Sequence, residues 1–171
     1  MLDFILIQRI RNHDTDAAEI FVEKYYALIF KYILFRLKNR CDAEDLTQET
    51  FIKFFGNIDR YNEYGKAKNY LYVIAGNLCK NYWKKRGYLK EKEEALKNEK
   101  RYIEALENFE IKADVERAFE KLPLEIREVA ILFFIQELKQ KEIATILGIK
   151  LSLVKYRVSR AKVLLKKYLE E

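Results

Sequence analysis

One proline, Pro123, and five glycines are spread over 171 residues, and this shortage of chain breakers is the strongest constraint on the fold. Strand-and-turn architectures need frequent glycine, proline and asparagine turns, which are the residues that tolerate tight φ values. Here, apolar residues recur instead at three-and-four spacing over long stretches, the period of a helix burying one face. The expectation is an all-α protein.

The same punctuation divides the chain. A short amphipathic helix is expected from Leu2 to Arg11. Asp14-Thr15-Asp16 can cap a second, from about Ala17 to Lys38, that buries Ile20, Phe21, Tyr25, Leu28, Tyr32 and Phe35. Asp42 can cap a third, running to about Ile58. A polar loop with two tyrosines, Asp59 to Gly65, leads to a fourth helix from Ala67 to about Arg86, where Gly87 can supply a left-handed cap. Residues 88–112 are dominated by Lys and Glu and fit either a solvated helix or a flexible tether. A second domain begins near Ala113. Leu122-Pro123 opens a helix with proline in its first turn, where the missing N–H costs nothing, and the helix spans Glu125 to about Glu137. The expected organisation is two small helical domains, 1–87 and 113–171, joined by a charged linker, 88–112.

Charge narrows the function. The formal net charge is +6, gathered from Lys66 to Lys90 and from Lys150 to Lys167, with a net acidic stretch between Glu91 and Glu120. Two basic regions suggest two contacts with one polyanion. Cys41 and Cys79 form no CxxC or Cys/His cluster, and the one histidine, His13, has no catalytic partner nearby in sequence. Without a nucleophile–base pair, a metal set or a glycine-rich phosphate loop, no enzyme, metal or cofactor is expected. Met1-Leu2-Asp3-Phe4 has no basic region followed by an apolar core, and the apolar run Val129 to Ile135 is too short to span a membrane, so a cytoplasmic protein without membrane insertion is expected.

Lys141 to Ile149 followed by Val154-Lys155-Tyr156-Arg157 has helix-turn-helix spacing. Ala144 is small where two helices cross, Gly148 follows where the turn needs positive φ, and Val154 can pack the second helix on the first. From Lys150 to Lys167 there is no acidic residue. With Val154, Val158, Ala161, Leu165 and Tyr168 turned to the core, Ser152, Tyr156 and Ser159 point outward toward base edges. Lys155, Arg160 and Lys166 flank them toward phosphates. A bland alternative is a helical pair with a solvated basic face.

Two further stripes stand out. In the third helix, Asp45, Gln48, Glu49 and Ile52 share one face while Thr47, Phe51, Phe54 and Ile58 share the other. The first set mixes acids with an aliphatic residue, as a protein-docking surface or an ordinary solvated one would. In the fourth helix, Leu71, Ile74, Ala75, Leu78 and Tyr82 make an apolar stripe. Lys66, Asn69, Gly76, Asn77, Lys80 and Lys84 lie opposite, suited to bases and phosphates. Tyr61 and Tyr64, in the loop just before, suit stacking on unpaired bases or, alternatively, cover the end of the bundle.

Three segments in order, Asp42 to Phe51, Tyr70 to Asn77, and Leu122-Pro123 with the helix-turn-helix, resemble bacterial sigma factors, and the compact build resembles the extracytoplasmic-function (ECF) group. The resemblance covers nearly the whole chain except the linker. It implies that Asp45, Gln48, Glu49 and Ile52 dock on the clamp helices of the RNA polymerase β′ subunit. It implies that the Tyr61–Tyr64 loop and the exposed side of the fourth helix open and read the minus-ten promoter element. The C-terminal domain would read the minus-thirty-five element and touch the β flap, and an anti-sigma factor would cover the polymerase-binding surfaces. The chain departs from the family pattern at Tyr70 (usually tryptophan), Asn81 (commonly aspartate), Lys150 (a capping serine), Leu151-Ser152-Leu153 (Glu-Gly-Thr) and Glu137 (a glycine). The alternative is a stand-alone helix-turn-helix regulator whose N-terminal domain dimerises or senses a ligand, and a third reading is a sigma-like protein that binds polymerase or an inhibitor without initiating transcription.

Overall fold

A computed structural model describes residues 2–62, 65–86 and 113–170. All regular elements among them are helical, and they fall into two compact units, Met1–Asn98 and Glu99–Glu171. The expected linker and its Gly87 cap lie outside the described residues.

The first unit holds four helices: α1 (Asp3–Arg11), α2 (Thr15–Leu37), α3 (Arg40–Gly56) and α4 (Ala67–Arg86). Asp14 caps α2 as expected, accepting from the Ala17 N–H at 3.1 Å. Arg9 also donates to its carboxylate at 2.7 Å, and these two bonds, the Arg9 one first, hold the Asp14 pKa below its ordinary value. α2 ends on Lys38 in the left-handed conformation, at φ 56°, with its N–H returned to Leu34 O.

α2 is the central element and packs against α1, α3 and α4. A helix with three neighbours must bury more than one stripe, which corrects the expected core set. Phe21, Tyr25, Tyr32 and Phe35 are buried, but so are Ile29, Phe30, Ile33, Leu34 and Leu37, while Ile20 is 38% exposed and Leu28 half-buried. Aromatic rings knit the interior. Phe21 stacks on Phe54 of α3 at 4.8 Å between centroids, and Tyr32 meets Tyr72 of α4 edge-on at 5.2 Å. Burying each such side chain contributes roughly 1.5–3 kcal/mol.

The cap of α3 is Asn39 rather than Asp42: Asn39 Oδ1 accepts from the Asp42 N–H at 3.1 Å. Asp42 is thereby free for a tertiary role. Tyr82 donates to its carboxylate at 2.6 Å and Arg86 lies 3.3 Å from it, so the start of α3 is tied to the end of α4.

The second unit holds α5 (Ala113–Glu120), α6 (Leu124–Ala130), a π-helical turn (Ile131–Ile135), α7 (Gln140–Leu147) and α8 (Leu151–Glu170). Pro123 sits at the N-cap of α6 rather than within its first turn, and its carbonyl accepts from Ile126 and Arg127. The helix expected to run to Glu137 widens instead at Ile131. Gln136 N–H reaches back five residues to Ile131 O, and Glu137 takes a φ of 54°. That left-handed residue is where the family pattern has glycine. The core is made by Phe119, Leu122, Val129, Leu132, Leu138 and Ile143 closing on Val154, Val158, Ala161 and Leu165 of α8.

Candidate functional site

Along α3 the expected division holds. Thr47, Phe51 and Phe54 are buried, and Asp45, Gln48, Glu49 and Ile52 are all exposed. Ile52 is 69% exposed, an aliphatic side chain held in water among acids. The Glu49 carboxylate lies 3.4 Å from Lys53 Nζ, but both side chains are about half exposed, and such a surface pair is worth ~0.3–0.5 kcal/mol. It would exchange readily for a stronger cationic partner. Thr47 and Thr50 turn their hydroxyls back to the carbonyls of Ala43 and Leu46, so neither presents an unsatisfied group to the core.

The outward stripe of α4 is narrower than the sequence suggested. Lys66, Asn77, Lys80 and Lys84 are exposed and Asn69 is half-buried, but Gly76 is buried. A Cβ on Gly76 would come within 3.2 Å of the Tyr32 hydroxyl, so this glycine serves the close approach of α2 and α4 rather than of a ligand. The last turn of α4 carries Lys84, Lys85 and Arg86, placed where the carbonyl end of the helix dipole favours cations. Of these, Arg86 is engaged with Asp42 and lies over the Tyr82 ring.

Tyr61 is corrected from a free loop aromatic to a half-buried one. Its ring stacks on Tyr70 of α4 at 5.1 Å and 16°, with Phe54 5.5 Å away. Its backbone is held too: Arg11, the last residue of α1, donates to the carbonyls of Ile58 and Tyr61. Sequence reasoning missed Arg11, since backbone carbonyls 47 and 50 residues away leave no side-chain signature. Tyr64 lies outside the described residues.

In the second unit the helix-turn-helix geometry is as expected. Gly148 takes φ 65° and returns its N–H to Ala144 O, and the side chain of Glu142 accepts from the Lys139 N–H at 2.8 Å, closing the start of α7. Val154, Val158, Ala161 and Leu165 are buried and Tyr168 is half-buried, with Lys121 over its ring. Ser152, Lys155, Tyr156, Ser159, Arg160 and Lys166 are all exposed, Tyr156 at 62%. Arg157, part of the basic run, is withdrawn from this face. Its side chain is 14% exposed and pairs with Glu125 of α6 at 2.5 Å.

Comparison with known proteins sets this geometry in a family. Residues 21–88 match the Sigma-70 region 2 family and residues 112–165 match Sigma-70, region 4. The ECF RNA polymerase sigma factor SigW of Bacillus subtilis is 30% identical, with 96% of this chain and 95% of SigW covered. The chain belongs to the ECF sigma factors. SigE of Mycolicibacterium smegmatis, also an ECF sigma factor, is 34% identical over 77% of this chain, which spans about half (53%) of that longer relative. The fold is similar to that of CnrH, solved in complex with the cytosolic domain of CnrY, at a TM-score of 0.73 and 20% identity, with 99% of this chain and 98% of CnrH covered. The sigma factor RpoE of Bartonella quintana, solved with the anti-sigma factor NepR, gives 0.69 and 21%, with 89% and 96% covered. ECF sigma factors are transcription initiation factors. Among the described residues of this one, no helix is long and apolar enough to cross a membrane, and no cluster of ligating side chains could hold a metal ion.

Proposed function

We propose that this ECF sigma factor works through three separate surfaces. The α3 face of Asp45, Gln48, Glu49 and Ile52 docks on a basic surface of core RNA polymerase, the clamp helices of β′. The loop after Tyr61 and the outward side of α4, with Lys66, Asn69, Asn77, Lys80 and Lys84, engage the minus-ten element. In the second unit α8 reads the minus-thirty-five element, with Ser152, Tyr156 and Ser159 toward bases and Lys155, Arg160 and Lys166 toward phosphates, while that domain touches the β flap. RNA synthesis stays with the polymerase, and the site of action is the cytoplasm, where chromosome and polymerase are.

One observation carries the docking assignment. Ile52 is exposed between acids on a face of α3 whose opposite side is fully committed to the core. A mixed acidic and aliphatic patch is suited to a cationic protein surface with an apolar centre, and it suits DNA poorly. This favours polymerase docking over the stand-alone regulator, whose N-terminal domain would need a pocket or a self-complementary face. An anti-sigma factor competing for the same surface fits this reading, as CnrH and RpoE were each solved with a protein partner.

The test is gel filtration of the purified chain with sigma-free core polymerase, followed by transcription of a promoter library by the recovered complex. Co-elution and initiation at a small promoter set are expected. Tight, specific DNA binding by the free chain with no polymerase association would establish the regulator instead.

A further inference from the structure

We propose that Arg11 is a positioning residue for minus-ten recognition, locking the base of the promoter-reading loop; this rests on the assignment of that loop to the minus-ten element. The guanidinium at the end of α1 makes three N–H···O bonds. Nε and Nη2 both donate to Ile58 O, at 3.1 and 3.0 Å, and Nη2 also donates to Tyr61 O. A planar fork with five fixed donors is the side chain able to gather two carbonyls of one turn at once.

The turn it gathers is the launch point of the loop. Arg60 and Tyr61 both return their N–H groups to Asn57 O, while Ile58 is buried as an anchor. On either side of the loop the described residues face solvent: Asn62 is exposed after the turn, and Gly65, at φ 72°, and Lys66 are exposed before α4. Tyr61 is therefore clamped twice, by its carbonyl through Arg11 and by its ring through Tyr70 and Phe54. Surface loop carbonyls are ordinarily satisfied by water, so a charged side chain from another helix is not needed merely to solvate these two. It does supply rigidity. Discriminating one unpaired base from another demands that the reading groups be held to a fraction of an ångström, and loops reach that only when their supports are locked.

Asp3, at the opposite end of α1, accepts from Lys24 and Tyr25 of α2, and so supplies the control. The experiment reconstitutes holoenzyme from core polymerase and the full chain. Binding is measured to single-stranded oligonucleotides carrying the non-template minus-ten element selected by the wild type, and each of its single-base substitutions. Arg11→Met should lose roughly tenfold in preference for the best base, a typical cost of one base contact. Arg11→Lys, a point donor that cannot fork, should fall between. Asp3→Ala should melt lower yet keep the full preference. Wild-type base preference in Arg11→Met and Arg11→Lys, with only a lower Tm, would overturn the positioning role and leave a structural brace. Absence of any base preference in the wild-type holoenzyme would instead overturn the minus-ten assignment itself, and the proposal with it.

Discussion

The rings of Tyr61 and Tyr70 lie 5.1 Å apart and within 16° of parallel, so the first loop tyrosine rests on the residue that occupies the family's usual tryptophan position. One face of Tyr61 is thus already covered. Offset aromatic pairs contribute about 0.5–1.5 kcal/mol beyond area burial. Tyr61→Ala is expected to lower the melting temperature and to slow open-complex formation on duplex promoters, with partial recovery on templates pre-melted across the minus-ten element. Tyr61→Phe should behave as wild type on both. Normal open-complex formation by Tyr61→Ala would make it a packing residue alone.

The α3 face should be separable from the fold. Asp45→Lys combined with Glu49→Lys places like charges against a basic partner and should weaken core polymerase binding by several kcal/mol. Both positions are exposed, so circular dichroism and Tm should change little. A folded double mutant that still pulls down polymerase at wild-type levels would remove this face from the docking surface.

On α8 three classes of side chain should respond differently. Tyr156→Ala or Ser159→Ala is expected to shift the preferred upstream sequence, at about 1–3 kcal/mol for a lost base contact. Arg160→Ala or Lys166→Ala should weaken all sequences alike and reduce the salt slope by about one unit each. Arg157→Ala should do neither first: with its side chain packed and paired to Glu125, it should lower the Tm of the second unit. Binding-site selection and salt titration on the variants tell the classes apart, and identical shifts in sequence preference from Tyr156→Ala and Lys166→Ala would show that the reading face is misassigned.

Glu137 occupies left-handed backbone at φ 54°, a conformation costing a side-chain-bearing residue roughly 1–2 kcal/mol and glycine almost nothing. Glycine's greater freedom when unfolded returns part of that. Glu137→Gly should therefore stabilise the second unit by about 0.5–1 kcal/mol, read as a higher Tm, and Glu137→Val should destabilise it. A lower Tm for the glycine variant would mean that the carboxylate, not the backbone, matters there.

What the sequence showed clearly was whatever depends on local period. The α3 division into Thr47, Phe51 and Phe54 against Asp45, Gln48, Glu49 and Ile52 follows from a hundred degrees per residue, and Gly148 from the turn it must make. What escaped depends on partners distant in the chain. Asp42 looked like a cap, yet Asn39 three residues earlier does that work and Asp42 meets Tyr82, 40 residues on. Gly76 counted as an open position until Tyr32 closed over it. The pairing of Arg157 with Glu125, 32 residues earlier, left no trace in the basic run, and Ile20 counted as core because α2 was assumed to have one buried side. The Arg11 brace had no sequence signal, since a carbonyl acceptor is present at every residue.

Helix α8 runs unbroken for 20 residues, roughly 30 Å of stiff rod. Its first turns carry Ser152 and Tyr156, and its later turns carry Ala161 and Leu165 into the core beneath. On the proposed reading, reader and foundation are one beam. A tilt imposed by DNA at the near end would reappear as a displacement at the far end, among side chains buried in the core. Promoter preference in this protein should therefore be adjustable from inside its second unit, by residues that never come near a base pair.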